Sequence, residues 1–318
     1  MKTGIYLGID TSNYTTSVAI LDRDGKIIAN IKRPLEVRDG ERGLRQSDAV
    51  FHHVRNLPSA MREAGEYIRG GGPIIAIGVS KRPRNIDGSY MPCFLAGVSA
   101  AESIAASSGA PIFEFSHQCG HIMAALLSSG ADFGGNIFPA FHVSGGTTEL
   151  LSVKESGSGF SADIVGGSSD ITAGQAIDRI GVYMGLRFPA GAELERLALR
   201  YDGKIPSRAP SLKGMYASFS GLENLATALY DQTGDKPQVA AFVFDYIGKS
   251  LIKMSEEYIK INGETPLLYA GGVMSSTILK RMLSSHFRAY FAEPSLSSDN
   301  AVGIAELARR EYEKTRNG

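Results

Sequence analysis

The chain opens on three short apolar runs divided by polar turns. Ile5-Tyr6-Leu7-Gly8-Ile9-Asp10 ends in a carboxylate, Ser17-Val18-Ala19-Ile20-Leu21 follows, and Ile27-Ile28-Ala29-Asn30 comes after Asp24-Gly25. Runs of this length, with an Asp-Gly hairpin signal before the last, predict an antiparallel meander of strands. Between Ser47 and Ile68 apolar residues recur at mixed spacings of three and four, which predicts a helix, and Gly70-Gly71-Gly72-Pro73 stops it. Ile74 to Val79 then reads as a buried strand, Pro92 to Ser107 as a helix, Pro111 to Phe115 as a strand and Gln118 to Ser128 as a helix.

The same grammar restarts after Gly134-Gly135. Phe138 to Val143 and Thr148 to Lys154 read as strands around a Gly turn, with helices near Ala173 to Met184 and Ala192 to Leu199, and a long one over Val239 to Ile261. Thr265 to Ala270 predicts a strand running into Gly271-Gly272, followed by a helix over Ser276 to Ser284, a strand over Arg288 to Phe291 and a closing helix over Ala301 to Glu313. This repetition is one of topology rather than of sequence. It predicts two related α/β lobes, residues 1–134 and 135–318, with a cleft between them.

Composition narrows the class. A chain of 318 residues exceeds the usual single domain, and 43% hydrophobic with 21% charged residues is ordinary for a globular protein. Lys plus Arg and Asp plus Glu are each 33, so the whole-chain charge says nothing in favour of a large basic footprint for nucleic acid. Local basic stretches remain at Lys81-Arg82-Pro83-Arg84-Asn85 and at Arg42, Arg45, Arg55 and Arg62, where a solvated surface is the simpler reading. The two cysteines, Cys93 and Cys119, lie far apart, which argues against a disulfide framework or a thiolate zinc site. The N-terminus lacks a signal-peptide pattern and no run is long enough to span a membrane, so a cytoplasmic protein with no membrane partner is expected.

Candidate chemistry falls at strand ends. The Asp10-Thr11-Ser12 turn, Ser144-Gly145-Gly146-Thr147-Thr148 and Gly271-Gly272-Val273 each follow a predicted strand, where backbone amides unobstructed by a Cβ can cradle phosphate oxygens. One such turn is commonly just a tight turn; three at corresponding places point to a nucleotide. His117 and His121 stand four apart at the start of a predicted helix, on one face, as a chelating pair. Asp299 is a candidate oxygen ligand, and two imidazoles with one carboxylate would leave open positions for substrate. Cys119, between the histidines, is expected to point away into the core. Asp178 and Glu195 are each read as either solvated or in contact with a ligand ribose.

Taken together these residues resemble the tRNA N(6)-adenosine threonylcarbamoyltransferase family, which includes the bacterial TsaD proteins and the catalytic subunit of the KEOPS complex. The likeness runs through nearly the whole chain and most strongly from residue 111 onward. It is carried by His117-Gln118-Cys119-Gly120-His121, Val143-Ser144-Gly145-Gly146, the stretch Asp170 to Asp178, Phe188-Pro189-Ala190-Gly191, Ser218 to Leu222, Gly271-Gly272-Val273 and Asp299-Asn300-Ala301. The resemblance implies an actin-like ATPase fold of two ribonuclease H-like lobes. It implies that His117, His121 and Asp299 bind one divalent metal ion, iron or zinc. It also implies that Val143, Ser144, Gly145, Gly146, Thr147, Asp178, Gly191, Glu195, Gly271, Gly272 and Ser276 line an adenine nucleotide pocket. The implied partners are tRNA, threonylcarbamoyl-AMP and proteins of the same modification pathway; the implied reaction moves the threonylcarbamoyl group onto the N(6) amine of the adenosine beside the anticodon, with AMP leaving.

The chain also departs from the family pattern, as a divergent member would. Thr147 stands where the family has His, and Ser276 where it has Asn. Thr11-Ser12-Asn13-Tyr14-Thr15-Thr16 replaces Thr-Ser-Cys-Asp-Glu-Thr, removing two carboxylates, and Ser80 to Asn85 replaces a Gly-Pro-Gly-Leu loop. These changes keep two alternatives open: a carbamoyl-adenylate-dependent transferase with another acceptor, and a non-catalytic nucleotide-binding partner of a true synthase.

Overall fold

The computed structural model describes residues 4–12, 14–36, 44–157 and 159–317. Asn13 of the N-terminal turn and Arg42 of the basic stretch lie outside the described residues. The chain forms two compact units, the first comprising Met1–Ser128, Glu155–Ser161 and Ser298–Gly318, the second Ser129–Lys154 and Ala162–Ser297.

From the N-terminus run β1 (Ile5–Thr11), β2 (Thr15–Leu21), β3 (Ile27–Pro34), α1 (Gln46–Gly71), β4 (Ile74–Arg82), α2 (Phe94–Ser108), β5 (Ile112–Ser116) and α3 (His117–Ser129). They are followed by β6 (Phe138–Val143), β7 (Thr148–Ser156), β8 (Gly159–Ser168), α4 (Ala173–Tyr183), α5 (Gly191–Ala198), β9 (Leu212–Lys213), β10 (Tyr216–Ala217) and α6 (Ser220–Thr233). The chain ends with α7 (Lys236–Asn262), β11 (Leu267–Ala270), α8 (Thr277–Ser284), β12 (Ala289–Phe291), α9 (Pro294–Ser297) and α10 (Val302–Asn317).

The first sheet has the order β3-β2-β1-β4-β5. β1 is antiparallel to β2 and parallel to β4. Every residue of β1 is buried because both its faces are covered. On one face Ile5, Leu7 and Ile9 join Val18, Ile20, Ile77 and Val79 in a core shared with Leu57, Ala60 and Ala64 of α1 and Ala96 and Ala101 of α2. The opposite face is occupied by α10, which packs against β1, β2 and β4.

That return of α10 differs from the expected partition, which assigned everything after residue 134 to the second lobe. The cause is close backbone packing. A Cβ on Gly8 would lie 2.4 Å from the Ala301 carbonyl oxygen, and one on Gly303 would lie 1.9 Å from that of Gly120 in α3. Only glycine at these places lets the helix sit down on both sheet and neighbour. Asp299, just ahead of α10, is thereby delivered to the start of α3.

The second sheet has the order β12-β11-β6-β7-β8-β10-β9. Here β6 is antiparallel to β7 and parallel to β11, and β11 is parallel to β12. The order β8-β7-β6-β11-β12 therefore repeats that of the first sheet, with β6 in the place of β1, and the duplication expected from sequence is present. Its core is centred on α7, with Phe242, Phe244, Tyr246 and Leu251 buried, and on the stacked rings of Phe141, Tyr269 and Phe291.

The hydrophobic pattern does not announce β8, β9, β10, α6 or α9. β8 is interrupted by glycine and carries exposed residues through its middle. In α6 only Leu222 and Ala226 are fully buried, too narrow a stripe to stand out. No helix among the described residues is long and apolar enough to cross a membrane.

Candidate functional site

His117 opens α3 directly after β5, and His121 follows one turn later, so both imidazoles leave the same side of the helix. Asp299 approaches from the segment before α10. One ligand atom from each of His117, His121 and Asp299 lies within 4.8 Å of the other two, and all three residues belong to the first unit. His117 Nε2 is 2.9 Å from His121 Nε2, while Asp299 Oδ1 is 3.3 Å from His121 Nε2 and 3.7 Å from His117 Nε2. Ligands bound at about 2.1 Å in tetrahedral or cis-octahedral geometry stand roughly 3.0–3.4 Å apart. The donor set and spacing fit a divalent cation.

The neighbouring groups favour that use. His117 Nδ1 donates to Asp10 Oδ2 at 2.8 Å, and the Asp10 side chain is 1% exposed. With the proton held at Nδ1, the Nε2 lone pair of a neutral His117 is free to bind metal, the arrangement typical of ligand histidines. Asp10 Oδ1 accepts from the Ser12 amide at 2.9 Å, and the Ser12 hydroxyl donates to Asp299 Oδ2 at 3.1 Å. One buried carboxylate thus orients a histidine and the turn that holds Asp299.

Beneath that turn lies His53, fully buried in α1. Its Nε2 is 2.7 Å from the Ser12 carbonyl and its Nδ1 is 2.8 Å from Thr16 Oγ1. A carbonyl can only accept, so Nε2 carries the proton and Nδ1 accepts from the Thr16 hydroxyl. Burial holds the His53 pKa below the ordinary imidazole value. Neither the bond from Ser12 to Asp299 nor that from His53 to the Ser12 carbonyl is recognisable from spacing. The Ser12 amide is also taken by Asp10, so the Asp10-Thr11-Ser12 turn, expected to cradle phosphate, supports the histidine and carboxylate cluster instead.

Electrostatics bind the cluster further. Burial opposes protonation of His117, but the charge and hydrogen bond of Asp10, aided by Asp299, carry its pKa up to about 9 in the metal-free protein. For Asp299, burial alone would raise the pKa, yet the His121 hydrogen bond and both imidazolium charges hold it well below the usual carboxylate range. Cys119 turns the other way, as expected. It is buried, accepts from Asn85 Nδ2 at 3.2 Å and donates to the Phe160 carbonyl at 3.3 Å.

The second unit carries the glycine turns. Val143 ends β6, and the Ser144 to Thr147 turn closes on itself through Ser144 N to Thr147 O at 2.7 Å and Thr147 N to Ser144 Oγ at 3.1 Å. Gly145 and Gly146 at its tip are exposed, with nothing within 4 Å of where a Cβ would stand. The turn is anchored to the start of α4. Thr172 Oγ1 donates to the Gly145 carbonyl at 2.8 Å and caps the Gln175 amide at 3.0 Å, while a Cβ on Gly174 would lie 2.5 Å from the Ser144 carbonyl. Gly271 has φ of 100° and lies so near Val143 that a Cβ would stand 2.3 Å from its carbonyl oxygen, so no other residue fits there. Gly272 opens a short turn leading to Ser276.

The remaining expected pocket residues have identifiable partners. Asp178 Oδ1 accepts from the Ala190 amide, next to Gly191, at 2.8 Å, and burial raises its pKa. Glu195 Oε1 accepts from Ser276 Oγ, Thr277 N, Thr277 Oγ1 and Ile278 N, and so caps α8. Ser276 Oγ in turn accepts from the Leu279 amide. Its hydroxyl is therefore engaged within the protein. In the first unit, Tyr14 is exposed, Lys81 pairs with Glu114 at 2.7 Å, and Arg55 lies over the Phe51 ring.

Comparison with known proteins adds the following. The family model for tRNA N6-adenosine threonylcarbamoyltransferase matches residues 27–306. The protein of that name from Streptococcus suis is 30% identical over 335 residues, covering 99% of this chain and 94% of its own. The Bacillus licheniformis protein of that name is 29% identical over 326 residues, covering 97% and 92%. Among solved structures, full-length HypF in its phosphate- and nucleotide-bound form has a TM-score of 0.61 at 12% identity, over 100% of this chain and 48% of that one. The activator of 2-hydroxyisocaproyl-CoA dehydratase from Clostridium difficile with bound ADPNP has a TM-score of 0.56 at 13% identity, over 98% and 97%. At these identities the structural likeness is one of fold, and the fold is that of the actin-like ATPases.

Proposed function

The chain belongs to the tRNA N6-adenosine threonylcarbamoyltransferase family, a family of transferases that modify tRNA, and we propose that it performs metal-dependent transfer from threonylcarbamoyl-AMP. The observation carrying this reading is the convergence of His117, His121 and Asp299 on one point, with Asp10 fixing the His117 tautomer. A protein that only bound nucleotide would have no need of that set.

In this reading the N(6) amine of adenosine attacks the carbamoyl carbon of the acyl-adenylate. A carbon–nitrogen bond forms, the bond from that carbon to the phosphate oxygen breaks, the amine loses a proton and AMP departs. Bound at the triad, a divalent ion would supply Lewis acidity and a template for the anionic acyl-adenylate. Asp10 holds Nδ1 of His117, which leaves Nε2 as the atom that would bind the metal once its proton is displaced, and Ser12 steadies Asp299. In the second unit the Gly145 and Gly146 amides offer donors to phosphate oxygens at a turn that Thr172 holds rigid. Asp178 keeps one carboxylate oxygen on the Ala190 amide and offers the other to a ribose hydroxyl. Lys81, Arg82 and Arg84 are the proposed contact with the tRNA backbone, so binding should weaken as salt rises.

The test is incorporation of labelled threonine into unmodified tRNA in the presence of ATP, bicarbonate, a divalent metal and an adenylate-forming enzyme, with and without pathway partner proteins. Label in tRNA that depends on His121 supports the proposal. A metal-loaded protein that consumes the acyl-adenylate but leaves tRNA unlabelled would point to another acceptor, which the changes at Tyr14, Thr15, Thr147 and Ser276 make the next reading to examine.

A further inference from the structure

The segment between β4 and α2 is fastened to the helix that carries the two histidines. The Pro83 carbonyl accepts from the Gln118 amide at 3.0 Å, and Asn85 Nδ2 donates to Cys119 Sγ at 3.2 Å and to the Phe160 carbonyl at 2.9 Å. Gln118 and Cys119 lie between His117 and His121 in α3. At the other end, the Phe94 ring stands 6.1 Å from the His117 ring, centroid to centroid, and Thr11 Oγ1 donates to the Cys93 carbonyl at 3.0 Å. Within the segment, the Ser89 amide donates to the Ile86 carbonyl at 3.1 Å, and Ser89 Oγ accepts from the Arg84 amide at 3.0 Å. Residues 83–93 therefore form an arch that begins and ends beside the metal helix, with a turn closed across its middle.

The outward side of the arch is aromatic and cationic. Tyr90 is 62% exposed and Ile86 58%. Tyr90 precedes Phe94 by four residues, so their Cα atoms are at most about 14 Å apart, which keeps Tyr90 near the triad. Arg82, exposed at the end of β4, donates to the neutral Asn85 Oδ1 at 3.3 Å. A single exposed ring is ordinary on a protein surface. Tyr90 and Arg82 on one short arch supply the two features with which proteins hold unpaired nucleotides, a face for stacking and a charge for the backbone.

We infer that Tyr90 is a stacking contact for an unpaired base of the acceptor RNA and that Arg82 binds a phosphate of the same strand. The inference rests on the proposed function, from which it takes tRNA as the acceptor. The adenosine beside the anticodon lies in a single-stranded loop, where bases can be splayed out and stacked on aromatic side chains. Because the arch is bonded to α3 through Pro83 and Asn85, a base on Tyr90 is set in register with His117 and His121. Ser80 to Asn85, where the chain departs from the family loop, supplies one foot of that arch.

The chain has no tryptophan, so Tyr90→Trp introduces a single fluorescent reporter. The zinc-loaded full chain and its variants are titrated with labelled unmodified tRNA and with a labelled, fully paired RNA duplex, and binding is read by anisotropy. Tyr90→Ala should bind tRNA about tenfold more weakly, the loss of one base–aromatic stack, with duplex affinity and zinc stoichiometry unchanged. Tyr90→Phe should keep the parent's affinity, and the emission of Tyr90→Trp should be quenched by tRNA and not by the duplex. Arg82→Gln should weaken tRNA binding and lower its salt slope by about one. Tyr90→Ala that binds tRNA as the parent does, or that loses tRNA and duplex equally, overturns the inference, as does Tyr90→Trp emission that tRNA leaves unchanged. An unchanged salt slope in Arg82→Gln overturns the phosphate contact. A parent that binds neither RNA overturns the inference too, but by removing the tRNA reading beneath it, so the two failures are distinguishable.

Discussion

Replacing Asp10 by Asn is the sharpest perturbation of the metal cluster, because it keeps the shape of the side chain and removes one acceptor. In the parent, one Asp10 oxygen accepts from His117 Nδ1 at 2.8 Å and the other from the Ser12 amide at 2.9 Å. Asparagine has one carbonyl oxygen and one NH2 group. If the amide nitrogen faces His117, the imidazole must present an unprotonated Nδ1 and carry its proton on Nε2, which then cannot bind a metal. If it faces Ser12, two N–H groups oppose each other beneath the turn that holds Asp299. Either orientation weakens the site. Loss of a partner behind a ligand histidine typically costs 10–100-fold in metal affinity, or about 1.4–2.7 kcal/mol. Competition with a chromophoric chelator measures it directly, and the metal-induced rise in melting temperature should shrink in step. The pH dependence has a defined sign. His117 is raised from an ordinary value of 6.5 to about 9 in the metal-free protein. Its contribution to stability is therefore complete below pH 6.5 and lost as pH rises through 9, while a metal must displace its proton, so apparent affinity climbs over that interval. Asp10→Asn should flatten both trends. A variant that binds metal as tightly as the parent, with the parent's pH profile, would refute the role given to Asp10.

Other expectations follow from the same geometry. Gly303→Ala should destabilise the protein by about 1–3 kcal/mol through overpacking against Gly120 in α3, and should weaken metal binding as well, because the seating of α10 places Asp299, just ahead of it. Denaturant unfolding checks this, with Gly70→Ala, which meets nothing within 4 Å, as the near-neutral control. Thr172→Ala removes both the α4 cap and the tether to Gly145, so it should cost about 1 kcal/mol in stability and loosen AMP binding by calorimetry while leaving metal affinity unchanged. Asp170 accepts from Ser218, Phe219 and Ser220 at the start of α6. Burial opposes the shift, but those bonds lower its pKa, so its contribution is present above the ordinary carboxylate value and disappears as pH falls through the lowered one. Asp170→Asn should thus narrow the stability difference between pH 7 and pH 3, as read by melting temperature.

Local order was legible wherever side chains declare it. The meander of β1 to β3, the helices α1 and α7 and the duplicated grammar follow from apolar spacing and from turn residues. The docking of α10 was not, because it depends on what Gly8 and Gly303 lack, and an absent side chain leaves no periodic mark. His117 and His121 were visible as a pair four apart on a helix. Asp299 could be joined to them only through resemblance, since nothing within the chain's spacing says that a late segment returns to the first sheet. Ser12 acts through its amide, carbonyl and hydroxyl, and His53 through that carbonyl, so both were silent in the sequence. Ser276 was noticed as a shorter side chain than the family's asparagine; its engagement with Glu195 and the Leu279 amide emerges only from the packed structure.

The most direct measurement is nucleoside mass spectrometry of unmodified tRNA after incubation with the purified, metal-loaded protein, threonine, bicarbonate, ATP, an adenylate-forming enzyme and pathway partner proteins. The account predicts threonylcarbamoyladenosine from the parent chain and its loss in Asp299→Ala, a variant that should still bind AMP. Absence of that nucleoside with the parent chain, or undiminished product from Asp299→Ala, would contradict it.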